Sequence, residues 1–119
     1  MDEIQHFEDK VGQATAKLIN ALRHTEHIYH SDAGHGWLKV SKSTIRMLGL
    51  ADKISGYSYE YAGQVYLEED RDAIIYFARL FPIGLGSIVF KQFQDFHVKE
   101  INDGDESNIR SFPHYNQNR

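Results

Sequence analysis

Between residues 3 and 23, apolar side chains fall at Ile4, Phe7, Val11, Ala14, Leu18 and Leu22. These intervals of three and four lay one apolar stripe along a helix. Gly12 weakens that helix by roughly 1 kcal/mol relative to alanine, and the polar remainder places it on a surface or against a partner chain. The pattern then changes. Residues 26–30 and 36–40 are short runs rich in β-branched and aromatic side chains, joined by a Ser-Asp-Ala-Gly turn, and they predict a hairpin. Ser41 offers an N-cap for a short helix through Leu48, with Ile45 and Leu48 inward and Gly49 as a left-handed stop. After a polar loop over residues 51–56, residues 57–61 and 64–68 predict a second hairpin across Ala62-Gly63.

Asp70 or a neighbour is expected to cap a third helix, in which Ala73, Ile74, Phe77, Ala78 and Leu80 form the apolar face and Pro82 ends it. Gly84 and Gly86 mark the next break. Residues 87–98 read as a fifth strand, with Phe90, Phe93 and Phe96 at intervals of three implying a bulge; a helix is the rival reading. Residues 102–108 form a polar, acidic loop, after which Ile109, Phe112 and Tyr115 are available for docking. The element order predicts an α+β fold: a mainly antiparallel sheet of about five strands, covered on one face, with two short helices and an N-terminal amphipathic helix. Residues 1–24 are read as a helical extension and residues 25–119 as one domain.

Composition narrows the class. At 119 residues, 41% hydrophobic and 25% charged, the chain has the make-up of one ordinary globular domain. Its lack of cysteine excludes disulfides, thiolate zinc sites and cysteine nucleophiles, and fits a cytoplasmic setting. The opening residues Met1 to His6 carry neither the basic nor the apolar segment of a leader, and no stretch approaches the ~20 apolar residues of a membrane span. A net charge of −4 argues against tracking a nucleic-acid backbone, which needs surplus Lys and Arg. The charge is patterned, with Lys39, Lys42 and Arg46 close together and Glu68, Glu69, Asp70 and Asp72 in an acidic cluster.

Candidate chemistry concentrates in Tyr29-His30-Ser31-Asp32-Ala33-Gly34-His35-Gly36-Trp37-Leu38. This run resembles a signature of small proteins of bacteriophages, prophages and mobile elements. The resemblance continues through the short helix ending in Leu-Gly, through Ala51 to Ser55 and Tyr57 to Tyr59, through Val65 to Asp70, and to the Ile-Arg-Ser-aromatic segment Ile109 to Phe112. It departs from the pattern at Ala33, where proline is frequent, and at Arg71, where cysteine is common. The resemblance implies an origin in mobile elements and a counter-defence role, either blocking a host defence protein or trapping a nucleotide immune signal.

Several readings of the motif compete. His30, Asp32 and His35 carry the nitrogen and oxygen donors that a borderline cation accepts, though at no established metal spacing. Gly34 and Gly36 could turn backbone N–H groups toward a phosphate, with His35 bonding it from the side. The plainest reading has Asp32 closing the turn, the glycines at positive φ and Trp37 in the core. Ser31 between His30 and Asp32 does not make a triad, because strand neighbours point to opposite faces. Tyr57, Tyr59 and Tyr61 share a strand face and could stack on a base, or pack a half-buried sheet. Arg110 could clamp a phosphate or carboxylate, or form a surface ion pair.

The leading expectation is a non-enzymatic protein that needs no cofactor or metal and binds a small anionic, nucleotide-derived ligand as a homo-oligomer. In it His30, Asp32, His35 and Trp37 shape the pocket, Tyr57 and Tyr59 stack, Arg110 neutralises charge, and the first helix joins the copies. A protein that inhibits a host defence enzyme through an acidic surface is the alternative. A metal-dependent hydrolase using His30, Asp32 and His35 is the third.

Overall fold

Strand alternation divides the molecule into two layers on either side of one sheet. The computed structural model describes residues 3–81 and 86–119, with the side chains of residues 4–8 and 86 outside that description. The elements are α1 (Glu3–Arg23), β1 (His27–Ser31), β2 (Gly36–Ser41), α2 (Lys42–Met47), β3 (Tyr59–Tyr61), β4 (Gln64–Glu68), α3 (Asp72–Leu80), α4 (Gly86–His97) and β5 (Val98–Asn102), followed by a 3-10 turn at Asn108–Ser111. The strand order is β3-β4-β2-β1-β5, antiparallel throughout except that β5 runs parallel to β1. The fold is α+β, with a mixed five-stranded sheet and four α-helices among the described residues.

Each predicted local signal that matches has an identifiable partner. Ser41 Oγ accepts the Thr44 N–H at 3.2 Å to start α2, and Gly49 stops it at φ 73°. Ala62 (φ 52°) and Gly63 (φ 78°) make the left-handed pair that turns β3 into β4. β3 starts at Tyr59, later than the pattern predicts, because Ser58 leaves the ladder: its buried hydroxyl donates to Asp72 and accepts the Glu68 N–H. Asp70 does not cap α3: Arg71 is the N-cap without a side-chain cap bond, and the Glu68 carboxylate reaches forward to accept the N–H groups of Asp70 and Asp72 at 3.0 and 3.1 Å. The expected helix end at Pro82 and the break at Gly84 lie outside the described residues, and Gly86 opens α4 instead.

The expected fifth strand over residues 87–98 is a helix for most of its length. In α4, Val89, Phe90 and Phe93 lie on one helical face and are buried against Phe77, Tyr29 and His27, while Phe96 is 81% exposed. A strand would have sent Phe90 and Phe93 to opposite faces of the sheet, whereas helical spacing brings both to the core. The fifth strand begins only at Val98.

Leu38, Val40, Val65, Leu67 and Tyr29 point from the sheet into the main core under α3 and α4, with Tyr76, Phe77 and Leu80 fully buried. Leu18, Ile19 and Leu22 of α1 pack against this layer, and Arg23 Nε donates to the Leu80 carbonyl at 2.6 Å. The expectation that only one face is covered does not hold. Trp37, Tyr66 and Tyr59 on the opposite face pack beneath Ile109 and Phe112. Main-chain bonds join this C-terminal segment to β3, with Glu60 N–H donating to Pro113 O and Tyr115 N–H to Ser58 O, both at 2.8 Å. Buried ionisable groups are paired: Lys42 Nζ bonds both Glu60 oxygens at 3.0 Å and two C-terminal carbonyls.

Candidate functional site

The turn between β1 and β2 is built around one carboxylate. Asp32 Oδ1 accepts the N–H groups of Gly34 (3.0 Å) and His35 (2.9 Å), and Oδ2 accepts that of Ser107 (2.9 Å). Arg110 grips the same carboxylate with two nitrogens, Nε to Oδ2 at 2.6 Å and a terminal nitrogen to Oδ1 at 2.9 Å. The Arg110 guanidinium above all, helped by these N–H groups, holds the Asp32 carboxyl well below the usual carboxylate range against the opposing effect of burial. The Arg110 guanidinium is correspondingly shifted up by Asp32. Of the backbone donors proposed for a bound phosphate, the Gly34 N–H is thus occupied by the protein's own anion.

Neither glycine of the motif adopts positive φ, contrary to the sequence expectation; close approach requires glycine at position 36 and leaves little room at position 34. A Cβ at Gly36 would sit 1.7 Å from Tyr29 Oη, and one at Gly34 would sit 3.1 Å from an Arg110 terminal nitrogen. Gly36 therefore lets the Tyr29 hydroxyl pass over β2 to donate to Glu69. Desolvation, followed by this carboxylate partner, pushes the Tyr29 phenol up.

Around this turn a cleft of about 420 Å3 is lined by His35, Trp37, Tyr57, Tyr59, Glu68, Asp70, Arg71 and Arg110. The volume lies within the range of small-molecule sites. Five of the seven residues selected from sequence, His35, Trp37, Tyr57, Tyr59 and Arg110, come together here from three separate segments of the chain. Their surroundings differ. Tyr57 is 77% exposed, while Trp37 is only 2% exposed and forms the floor, with the Arg110 guanidinium 5.5 Å from its ring centre. Tyr59 meets Trp37 edge-on and has His114 stacked on its ring at 4.8 Å. Tyr61, the third of the tyrosine series, stacks on Phe112 and does not line the cleft.

His30 and Asp32 lie outside the cleft lining. Asp32 sits behind Arg110, and His30 opens on a neighbouring depression with Tyr66, Asp103 and Ser107. His30 Nδ1 lies 3.1 Å from Asp103 Oδ2, which also accepts the Ser107 hydroxyl at 2.7 Å. The His30, Asp32 and His35 ligand set does not assemble, and among the described residues no group of three or more acidic or histidine side chains is placed to hold a metal ion. Ser31 donates to Glu100 at 2.9 Å, on the far side from any relay with His30.

Sequence reasoning missed Glu68, Asp70 and Arg71 as cleft residues, because an acidic run just ahead of a helix reads first as a cap. Glu68 serves both purposes. Arg71, which departs from the resemblance pattern, contributes a guanidinium to the cleft while one of its terminal nitrogens bonds Asp72 at 2.7 Å. Asp103 and Ser107 were likewise unassigned; the one available signal was their place in the acidic loop before Ile109.

No family model matches the chain, and no curated protein or solved structure shows significant similarity to it. Among the described residues no helix is long and apolar enough to cross a membrane.

Proposed function

We propose that the protein is a non-catalytic, phage-type accessory protein that binds and sequesters a small anionic, nucleotide-derived ligand in the cleft around Tyr57 and Arg110. The observation that carries this reading is the convergence of an exposed phenol, an imidazole and two guanidinium groups on one cleft of small-molecule size. A planar ring has Tyr57 to stack on, and an anionic group has Arg71, Arg110 and His35. Asp32 acts through Arg110, fixing its orientation and leaving one terminal nitrogen free to turn toward a ligand. The likeness of the His30 to Trp37 motif to proteins of mobile elements supports a counter-defence role for this binding, within the cytoplasm of a host cell.

In this reading α1 joins two copies of the chain. Its apolar stripe continues past the end that packs on the domain, with Val11 50% exposed and Ala14 also exposed, and a second α1 supplies matching helical spacing. Sedimentation of the wild type as a dimer or larger, and of Val11→Glu as a smaller species, supports this contact; a monomeric wild type removes it.

The binding itself is tested by melting the protein with a panel of linear and cyclic nucleotides. A ligand that binds only the folded state raises the melting temperature, and at about a hundredfold excess over Kd the gain is ~2.7 kcal/mol. Tyr57→Ala, which removes an exposed ring, is expected to abolish the rise while leaving the unliganded melting temperature in place. A panel without any rise sinks the reading in favour of a protein that inhibits a host enzyme.

A further inference from the structure

We infer that the cleft selects a guanine base, with the Asp70 carboxylate reading its edge and the two guanidinium groups holding its phosphate. This rests on the nucleotide-binding reading and gives it a specificity. Four groups in the cleft have capacity that the protein leaves unused. The Asp70 side chain is exposed and accepts no hydrogen bond among the described residues, although its own N–H is committed to Glu68. By contrast, each oxygen of Glu68 already holds a backbone N–H. Tyr57 has no ring partner among the described residues and is 77% exposed, so a face of its ring is open. Arg71 spends one terminal nitrogen on Asp72 and the Lys53 carbonyl, and Arg110 spends two nitrogens on Asp32, so each keeps further donors.

An ionised carboxylate accepts hydrogen bonds and donates none. It therefore fits an edge that presents two adjacent N–H donors and is repelled by an edge of carbonyls. Guanine offers that pair in its ring N–H and exocyclic amino group. Adenine and cytosine set an amino group beside an acceptor nitrogen, and uracil flanks its one N–H with two carbonyls. The phosphate of the same nucleotide meets Arg71 and Arg110, which match it with planar, multidentate donors. A cleft holding only cations would bind any nucleotide; a free acid lining the same cleft as an open ring discriminates among bases.

The test is calorimetric titration of the full chain with GMP, IMP, AMP, CMP and UMP at one ionic strength. GMP is expected to bind about tenfold or more tighter than AMP, CMP and UMP, with IMP, which lacks the exocyclic amino group, between them. Asp70→Asn is expected to remove the preference for GMP without shifting the unliganded melting temperature. AMP or UMP binding as tightly as GMP, or an Asp70→Asn variant that keeps the preference, overturns the guanine assignment and leaves the nucleotide cleft standing. Absence of binding by all five, together with a flat melting panel, overturns both.

Discussion

Glycine is needed at position 36 because Tyr29 Oη occupies the space a methyl group would take. Gly36→Ala must push that ring off Glu69, an overpacking that costs about 1 to 3 kcal/mol; a lowered urea midpoint with an unchanged slope is the expected reading. Gly12 is the opposite case, exposed on α1 with nothing within 4 Å of where a Cβ would stand. Gly12→Ala should raise stability by roughly 0.5 to 1 kcal/mol. His27 supplies a pH signal: it is buried, its Nε2 is 2.6 Å from the Tyr76 hydroxyl, and Nδ1 faces the Thr25 carbonyl. Desolvation lowers its pKa below the ordinary value, so the unfolded chain takes up a proton that the native state refuses. Stability should therefore fall as pH drops below about 6.5, and His27→Gln, which can keep a donor and an acceptor there, should flatten the urea midpoint between about pH 7 and pH 5. A wild type equally stable at both pH values contradicts this. The sequence made Asp32 legible as a turn-closing residue because its partners Gly34 and His35 are local. The other half of its role was hidden, since Arg110 stands 78 positions away and no local pattern reports it.

Helices and turns with local chemistry were readable in advance. Ser41 and Gly49 bracket α2, and Ala62-Gly63 reverses the chain between β3 and β4, because caps and tight turns depend on residues a few positions apart. The segment that became α4 was not readable in that way. Phe90 and Phe93 satisfy a bulged strand or a helix equally until the shape of the core is known, and burial against Phe77 decides for the helix. The β3–β4 turn still carries a cost, since Ala62 holds φ 52° with a Cβ in the way. Ala62→Asn, better suited to that conformation, is expected to add about 0.5 to 1 kcal/mol, measured by thermal or urea unfolding. An unchanged or lower midpoint would place the strain elsewhere.

The two faces of the sheet are closed by different means, and only one was foreseen. Helices α3 and α4 seal the first with an apolar core. The second is sealed by the stretch from Asp103 to Tyr115, held through Asp32, Glu60 and Ser58 as well as by Ile109 and Phe112. The sequence marked Ile109, Phe112 and Tyr115 as available for docking but not that Ile109 and Phe112 cover the second face while Tyr115 joins the main core. Arg110→Ala should loosen this stretch first: amide exchange over residues 104–115 is expected to accelerate well before exchange in β1, β2 and β4. Uniform acceleration across the sheet would show instead that the stretch opens only with the entire fold.

Because Arg110 both clasps Asp32 and forms part of the cleft wall, the cleft on a growing polypeptide lacks one wall until residue 110 has been synthesised. Translation delivers the hairpin and the tyrosines early and the guanidinium late. A product terminated ahead of Arg110 would therefore lack that wall and, under the binding proposed above, would compete poorly for the ligand.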